Sequence, residues 1–233
     1  VPRNSAARMD LNLLLAEIDR LSKYQFIISN EDVRLLISMV TNLFRLHLFS
    51  YGYTEEQVRP LCTKFRDAGR RSAPWKPFSA RVPGRPQDGA DGNRILRWKL
   101  PEDHKFYASE VDGTLVEVKY YFQALSMADA PSLPPNSLQD SFRWLLNHSV
   151  VPGAYLDPIQ LIPISLVEFI RDPKLVQSGH LVPLDRDGKH IPSNTFLMLA
   201  RSNQIQGNQT VEEMVALMEQ IVQRHKARKD HLG

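Results

Sequence analysis

Two short apolar segments, HLVPL at 180–184 and TFLML at 195–199, flank the polar stretch DRDGKHIPSN and run directly into ARSNQIQGN. Apolar runs of this length bounded by Asp-Gly and Pro-Ser-Asn are strand signals, and the stretch between them is rich in turn formers. The pattern predicts strand, loop, strand and helix in immediate succession. It lies between a short helix expected from Ser165 and a long one opening at Thr210, where Glu213 completes a capping box. Within it His180, Asn194 and Asn203 stand as H-x13-N-x8-N.

The rest of the chain reads mostly as helix. DLNLLLAEIDRLSK sets Leu11, Leu14, Leu15, Ile18 and Leu21 at helical spacing, and SNEDVRLLISMVTNLFRLHLFS continues the pattern after a Ser29 or Asn30 cap. A third helix opens at Thr54 with Gln57 as its box partner, and Pro60 is expected to bend or shorten it. KFYASEVDGTLVEVKYYFQAL alternates around Asp112-Gly113, which predicts a β-hairpin with a two-residue turn. MADAPSLPPNS is a Pro-rich connector, followed by a helix from about Ser137 to His148 and a loop through Pro152-Gly153. The expected fold class is α+β. Residues 1–8, VPRNSAAR, read as an expression remnant; 9–70 as a helical region with apolar faces for dimerisation; 71–126 as a basic segment and β-hairpin; 127–137 as a linker; 138–233 as a C-terminal domain.

Charge is concentrated in one place. From Arg59 to Lys99 there are eleven Lys and Arg against Asp67, Asp88 and Asp91, an excess of eight, in a chain whose net charge is only +3. Trp75, Phe78 and Trp98 lie among these cations, with Pro and Gly between them. Such a tract can follow a phosphate backbone while its aromatic rings stack, and it reads equally as a solvated linker. The single cysteine, Cys62, excludes an internal disulfide and any zinc site built from cysteines, and suits a reducing compartment. The longest apolar runs, such as LIPISLVEF, are too short to span a bilayer, so a cytoplasmic protein without a membrane partner is expected.

Phosphodiester hydrolysis needs a base to activate water on one side of phosphorus and a charge sink for the leaving oxygen on the other. A histidine on the first strand can be the base, an amide oxygen on the following helix can hold a cation, and an asparagine between them can fasten the connecting loop. GHLVPLDRDGKHIPSN followed by RSNQIQGN resembles the HNH nucleases of the ββα-metal superfamily, over roughly residues 150–210. The resemblance implies that residues 138–233 form a ββα-metal (HNH) domain with His180 as general base, Asn194 as loop organiser and Asn203 as ligand of Mg2+ or Mn2+, with His190 and Arg201 as accessory candidates. The expected function is that of a prokaryotic type II restriction endonuclease that cuts double-stranded DNA as a homodimer, and the local cation excess puts Arg70, Arg71, Lys76, Arg81, Arg85, Arg94 and Arg97 on the DNA. A nicking or homing-type nuclease, or a DNA-binding module with a decayed site, is the alternative.

Two departures bear on that reading. Many HNH enzymes place an aspartate before the base as a second metal ligand, and Gly179 stands there. The cysteine pairs that bind a bracing zinc in many of them are absent, so no structural zinc is expected, and AYLDPIQLIPISLVEF lies where the first pair would fall. Asp185 and Asp187 lie in the loop as further carboxylates. Glu117-Val-Lys119 offers a rival, the E-x-K half of the PD-(D/E)xK nuclease pattern, although strand alternation explains it more cheaply. The stripe Val211, Met214, Val215, Leu217, Met218, Ile221 and Val222 reads as core or interface.

Overall fold

The structure, a computed structural model, describes residues 28–74, 94–132 and 145–230, together with residues 13, 16, 17, 20 and 143. Trp75, Lys76, Phe78, Arg81 and Arg85, and most of the helices expected from residue 10 and from Ser137, lie outside the described residues.

Helix α1 (Asn30–Ser50) begins at Ser29, whose hydroxyl accepts from Asp32 N while Asp32 accepts from Ser29 N, a reciprocal cap. Its apolar stripe from Val33 through Leu36, Val40 and Phe44 to Leu48 is buried in the core. Leu35 and Leu46, on another side of the helix, stay exposed. Helix α2 (Glu55–Arg70) opens at Thr54, whose N–H donates to Gln57 Oε1 at 2.8 Å. Pro60 does not shorten it, because a proline in the second turn forfeits one hydrogen bond while Val58, Leu61 and Phe65 hold the helix to the core.

The hairpin expected around Asp112-Gly113 is a helix, α3 (Glu110–Leu125). Ser109 accepts from Asp112 N at 3.0 Å and donates to Asp112 Oδ2 at 2.7 Å, so Asp112 serves a helix N-terminus and not a turn. Every residue from Gly113 to Leu125 is buried. A helix covered on all sides carries no polar stripe, so the 3.6-residue period that would betray it is missing and chance alternation prevails. The centre of the molecule is this helix. It packs on α1 and α2 on one side and on the sheet on the other. Phe65 meets Phe44, Tyr121 and Phe169 edge-on or tilted, with centroids 5.0–5.9 Å apart.

Helix α4 (Leu166–Arg171), capped by Ser165, leads into strand β1 (Val176–His180). Strand β2 (Thr195–Leu199) pairs with it antiparallel, from Val176 opposite Leu199 to His180 opposite Thr195. TFLML is thus a strand as expected, whereas HLVPL begins where β1 ends. Pro183 cannot donate to a ladder, and Leu184–Arg186 turn into a 3-10 helix. Helix α5 (Ala200–Gln206) follows β2 without a break, and α6 (Val211–Asp230) starts with the expected Thr210–Glu213 box. One buried cluster runs from Val33 to Leu197 and includes Met127, at the start of the Pro-rich connector. Among the described residues no helix is long and apolar enough to cross a membrane.

Helices α2 and α3 touch backbone to backbone at Gly69. A β-carbon there would lie 2.7 Å from Glu117 Cβ and 2.8 Å from Glu117 Cα and N. Backbone cannot yield as a side-chain tip can, so Gly69→Ala is expected to destabilise the protein by roughly 1–3 kcal/mol. Urea denaturation would measure it; an unchanged midpoint would mean that α2 and α3 can slide apart at no cost.

Candidate active site

The C-terminus of α2 leaves carbonyls without helical partners, and two side chains from distant segments take them up. His190 Nε2 donates to Gly69 O at 2.7 Å, and Arg97 Nη2 to Ala68 O at 3.5 Å. Arg97 also donates through Nη1 to Phe106 O at 3.1 Å and is only 5% exposed. A carbonyl can only accept, so His190 must carry its proton on Nε2, and its Nδ1 must accept. The partner of that Nδ1 is His180 Nε2 at 3.0 Å. His180 is thereby the Nε2–H tautomer, and Nδ1 is its basic nitrogen. Burial, reinforced by the Arg97 charge, pushes His180 down to about 3 and His190 well below its ordinary value, so both rings are neutral near pH 7.

His180 lines a cleft of about 440 Å³ between α2 and β1. Lys64, Arg71, Arg94 and Arg97 line it too, and the carboxylate among the lining residues, Asp67, pairs with Arg66 and Arg71. Local pairing brings Arg94 and Arg97 in: Arg71 bridges Leu96, and Ser72 N donates to Ile95 O at 2.8 Å. Of the expected DNA contacts, Arg71, Arg94 and Arg97 are therefore brought together. Arg70 is turned away to an ion pair with buried Glu117 in a separate pocket.

Asn194 ties the loop shut. Its Oδ1 accepts from Val182 N at 2.8 Å, and its Nδ2 donates to Val182 O and Lys189 O, both at 2.9 Å. Asn203, on α5, donates to Gln177 Oε1 at 3.0 Å; Gln177 lines the cleft, Asn203 itself does not. Arg201 is exposed on α5. Asp185 is engaged by Lys105 at 2.6 Å, and Asp187 adopts a left-handed φ of 63° at the end of the 3-10 turn. Gln206 is a structural support of the strand end that the spacing alone did not single out. Buried on α5, it donates to His180 O at 2.8 Å and Leu181 O at 3.0 Å, fixing the strand end that bears the histidine. Its signal was present in the closing N-x-x-Q-G, where Gly207 takes φ 57° and ψ −124°.

Among the described residues no three His, Cys, Asp or Glu side chains gather as a metal cage. The space a side chain at position 179 would fill is held by the Met198 thioether, whose sulfur would lie 2.5 Å from a β-carbon there. The amide of Asn203 offers, besides the Nδ2 that bonds Gln177, an oxygen of the hard kind. That donor fits magnesium, which tolerates a single protein oxygen when waters and phosphate complete its shell, and it implies weak binding. Asp157 ties the segment before α4 to β2: fully buried, its Oδ1 accepts from Ile159 N and Gln160 N and its Oδ2 accepts from Leu199 N at 2.8 Å. The rival pair is not a site. Glu117 reaches Arg70, while Lys119 donates to Pro192 O at 2.5 Å beneath the Phe196 ring, on the other side of α3.

The architecture is α+β, mostly helical around a two-stranded antiparallel sheet. No family model and no curated protein sequence matches the chain. Among solved structures it is similar to the crystal structure of a type II restriction endonuclease, with a TM-score of 0.51 and 18% identity, over 74% of this chain and 79% of that one. At that identity the likeness is one of fold.

The tautomer assignment has a direct check. Nitrogen-detected NMR should find His180 and His190 neutral at pH 6, each protonated on Nε2; a protonated His180 ring at that pH would break the relay. The folded value of His180 lies below the unfolded 6.5, so the unfolded chain binds the extra proton as pH falls below 6.5. Stability should accordingly decline between pH 6.5 and about 3.

Proposed function

We propose that this protein is a DNA endonuclease of restriction type, with a ββα-metal (HNH) site built on β1, β2 and α5. The observation that carries the reading is a neutral histidine of fixed tautomer at the wall of a cation-lined cleft. A phosphodiester in the cleft would be held by Lys64, Arg71 and Arg94, with the buried Arg97 charge behind them. His180 Nδ1 takes the proton of the attacking water, the new bond forms at phosphorus, and the bond to the 3′ oxygen breaks. A pKa near 3 is low for a base, but the phosphodiester anion acts on His180 in the opposite sense to Arg97 and raises it. His190 acts through His180, fixing its tautomer and taking part of the positive charge that develops. Asn194 and Gln206 hold the strand end. Asn203 would hold Mg2+ or Mn2+, which when bound neutralises the phosphate and stabilises the leaving oxygen.

Fold likeness to a type II restriction endonuclease supports double-stranded DNA as substrate. The second reading, a DNA-binding module without activity, is favoured by Met198 filling the space beside Gly179. Plasmid cleavage separates the two. With millimolar Mg2+ the protein should cut DNA, and His180→Ala should lower the rate by about 10²- to 10⁴-fold while DNA affinity persists. Asn203→Ala should raise the Mg2+ concentration needed. Arg71→Ala with Arg94→Ala should weaken binding to all sequences and flatten its salt dependence by roughly two phosphate contacts. Intact plasmid under every metal tested, with DNA still bound, would leave the binding module as the answer.

A further inference from the structure

Helix α6 is 20 residues long, yet among the described residues it meets the rest of the chain only near its start, against α5 and through Arg186–Glu213. Met214 is buried there. Beyond it Val215, Leu217, Met218, Ile221 and Val222 are 45, 38, 41, 38 and 50% exposed. At 100° per residue these five, with His225, fall on one continuous arc of the helix, and the opposite arc carries Glu212, Glu219, Gln220 and Gln223 with Ala216 and Ala227. A solvent-surrounded helix with an apolar stripe of this kind is unpartnered.

Its charge indicates what covers it. The N-terminal half carries Glu212, Glu213 and Glu219 and no cation; the C-terminal half carries Arg224, Lys226, Arg228 and Lys229 against Asp230. A parallel neighbour of the same sequence would set like charges side by side. An antiparallel one sets acidic half against basic half, opposes the two helix dipoles favourably, and is what a twofold axis across the helix produces. We propose that α6 pairs antiparallel with α6 of a second copy of this chain, the axis passing between Glu219 and Gln220. Met218 of each copy then faces Ile221 of the other, and the exposed stripe is the seam. The expected homodimer is thus assigned to the C-terminal helix; the stripe of α1 from Val33 to Leu48 is taken up by the core.

The proposal does not depend on the nuclease reading, and its test needs no substrate. Sedimentation of the full chain should show a dimer with a dissociation constant in roughly the micromolar range, as befits a small interface. Met218→Glu with Ile221→Glu, both on exposed positions, should weaken it by at least about tenfold with the circular dichroism and melting of the fold retained. In a Cys62→Ser background, a mixture of Met218→Cys and Ile221→Cys chains should form the mixed disulfide dimer on mild oxidation. His225→Cys chains alone should not cross-link, since the two positions would lie roughly 16 Å apart along the axis. Rapid cross-linking of His225→Cys would overturn the antiparallel arrangement. So would a monomer at tens of micromolar, or a dimer indifferent to the two glutamates, either of which gives the stripe to another partner or to another segment of the chain.

Discussion

The unpaired carbonyls at the end of α2 organise this protein. A helix terminus buried without partners is costly, and here the cost is met by a histidine and an arginine drawn from segments far along the chain. Each gives up exposure to do so. Arg97 fastens the segment returning from the basic tract, and His190 fastens the loop between the strands. Because Gly69 O can only accept, its one hydrogen bond dictates the protonation of two imidazoles in series, and the basic nitrogen of His180 follows from it. Gly69 is also where α2 touches α3, so the packing of the core and the tautomer at the cleft are set at the same residue.

Helix α3 is the second support. It carries Lys119 and Glu117, buried charges that would be expensive without partners. Burial lowers Lys119 to about 7 and raises Glu117 to about 7, with Arg70 opposing the latter. Lys119 donates to Pro192 O, on the same loop as His190, and its ammonium lies 3.5 Å from the centroid of Phe196. Tyr120 bonds Ser178 and Gln123 accepts from Leu197 N, one contact on each strand. The helix thus holds both strands and their loop through polar contacts inside the core, which is why residues that look catalytic in sequence are structural in place.

Much of this is legible in the sequence, and the failures have physical causes. The caps at Thr54 and Thr210 fall where their box residues put them, and those at Ser29 and Ser165 where a helix is expected to open, because capping is local chemistry. The second strand is legible from a run of apolar residues. The first is not: VQSGH is polar in composition because Gln177, Ser178 and His180 line the cleft and only Val176 joins the core, so the strand signal drifts onto the more apolar LVPL. Helix α3 is hidden for the converse reason, since total burial erases periodicity. Spacing singles out His180, Asn194 and Asn203, but the connection from His180 through His190 to Gly69 spans 121 residues at its last step and has no local signature.

Gly179 shows what a missing side chain does to the packing of β1. Its missing side chain lets the Met198 thioether lie against β1, so the strand is packed where a carboxylate would have stood. A carboxylate introduced by Gly179→Asp would therefore have to displace sulfur before it could reach a cation. Burial is the larger reason that His180 is weakly basic, and the Arg97 charge adds to it. On the proposed reading, an anion held in the cleft would offset the Arg97 part of that depression. If that anion is the phosphodiester of the proposed reaction, base strength would be coupled to substrate binding, and the group to be attacked would also supply the charge that favours the attack.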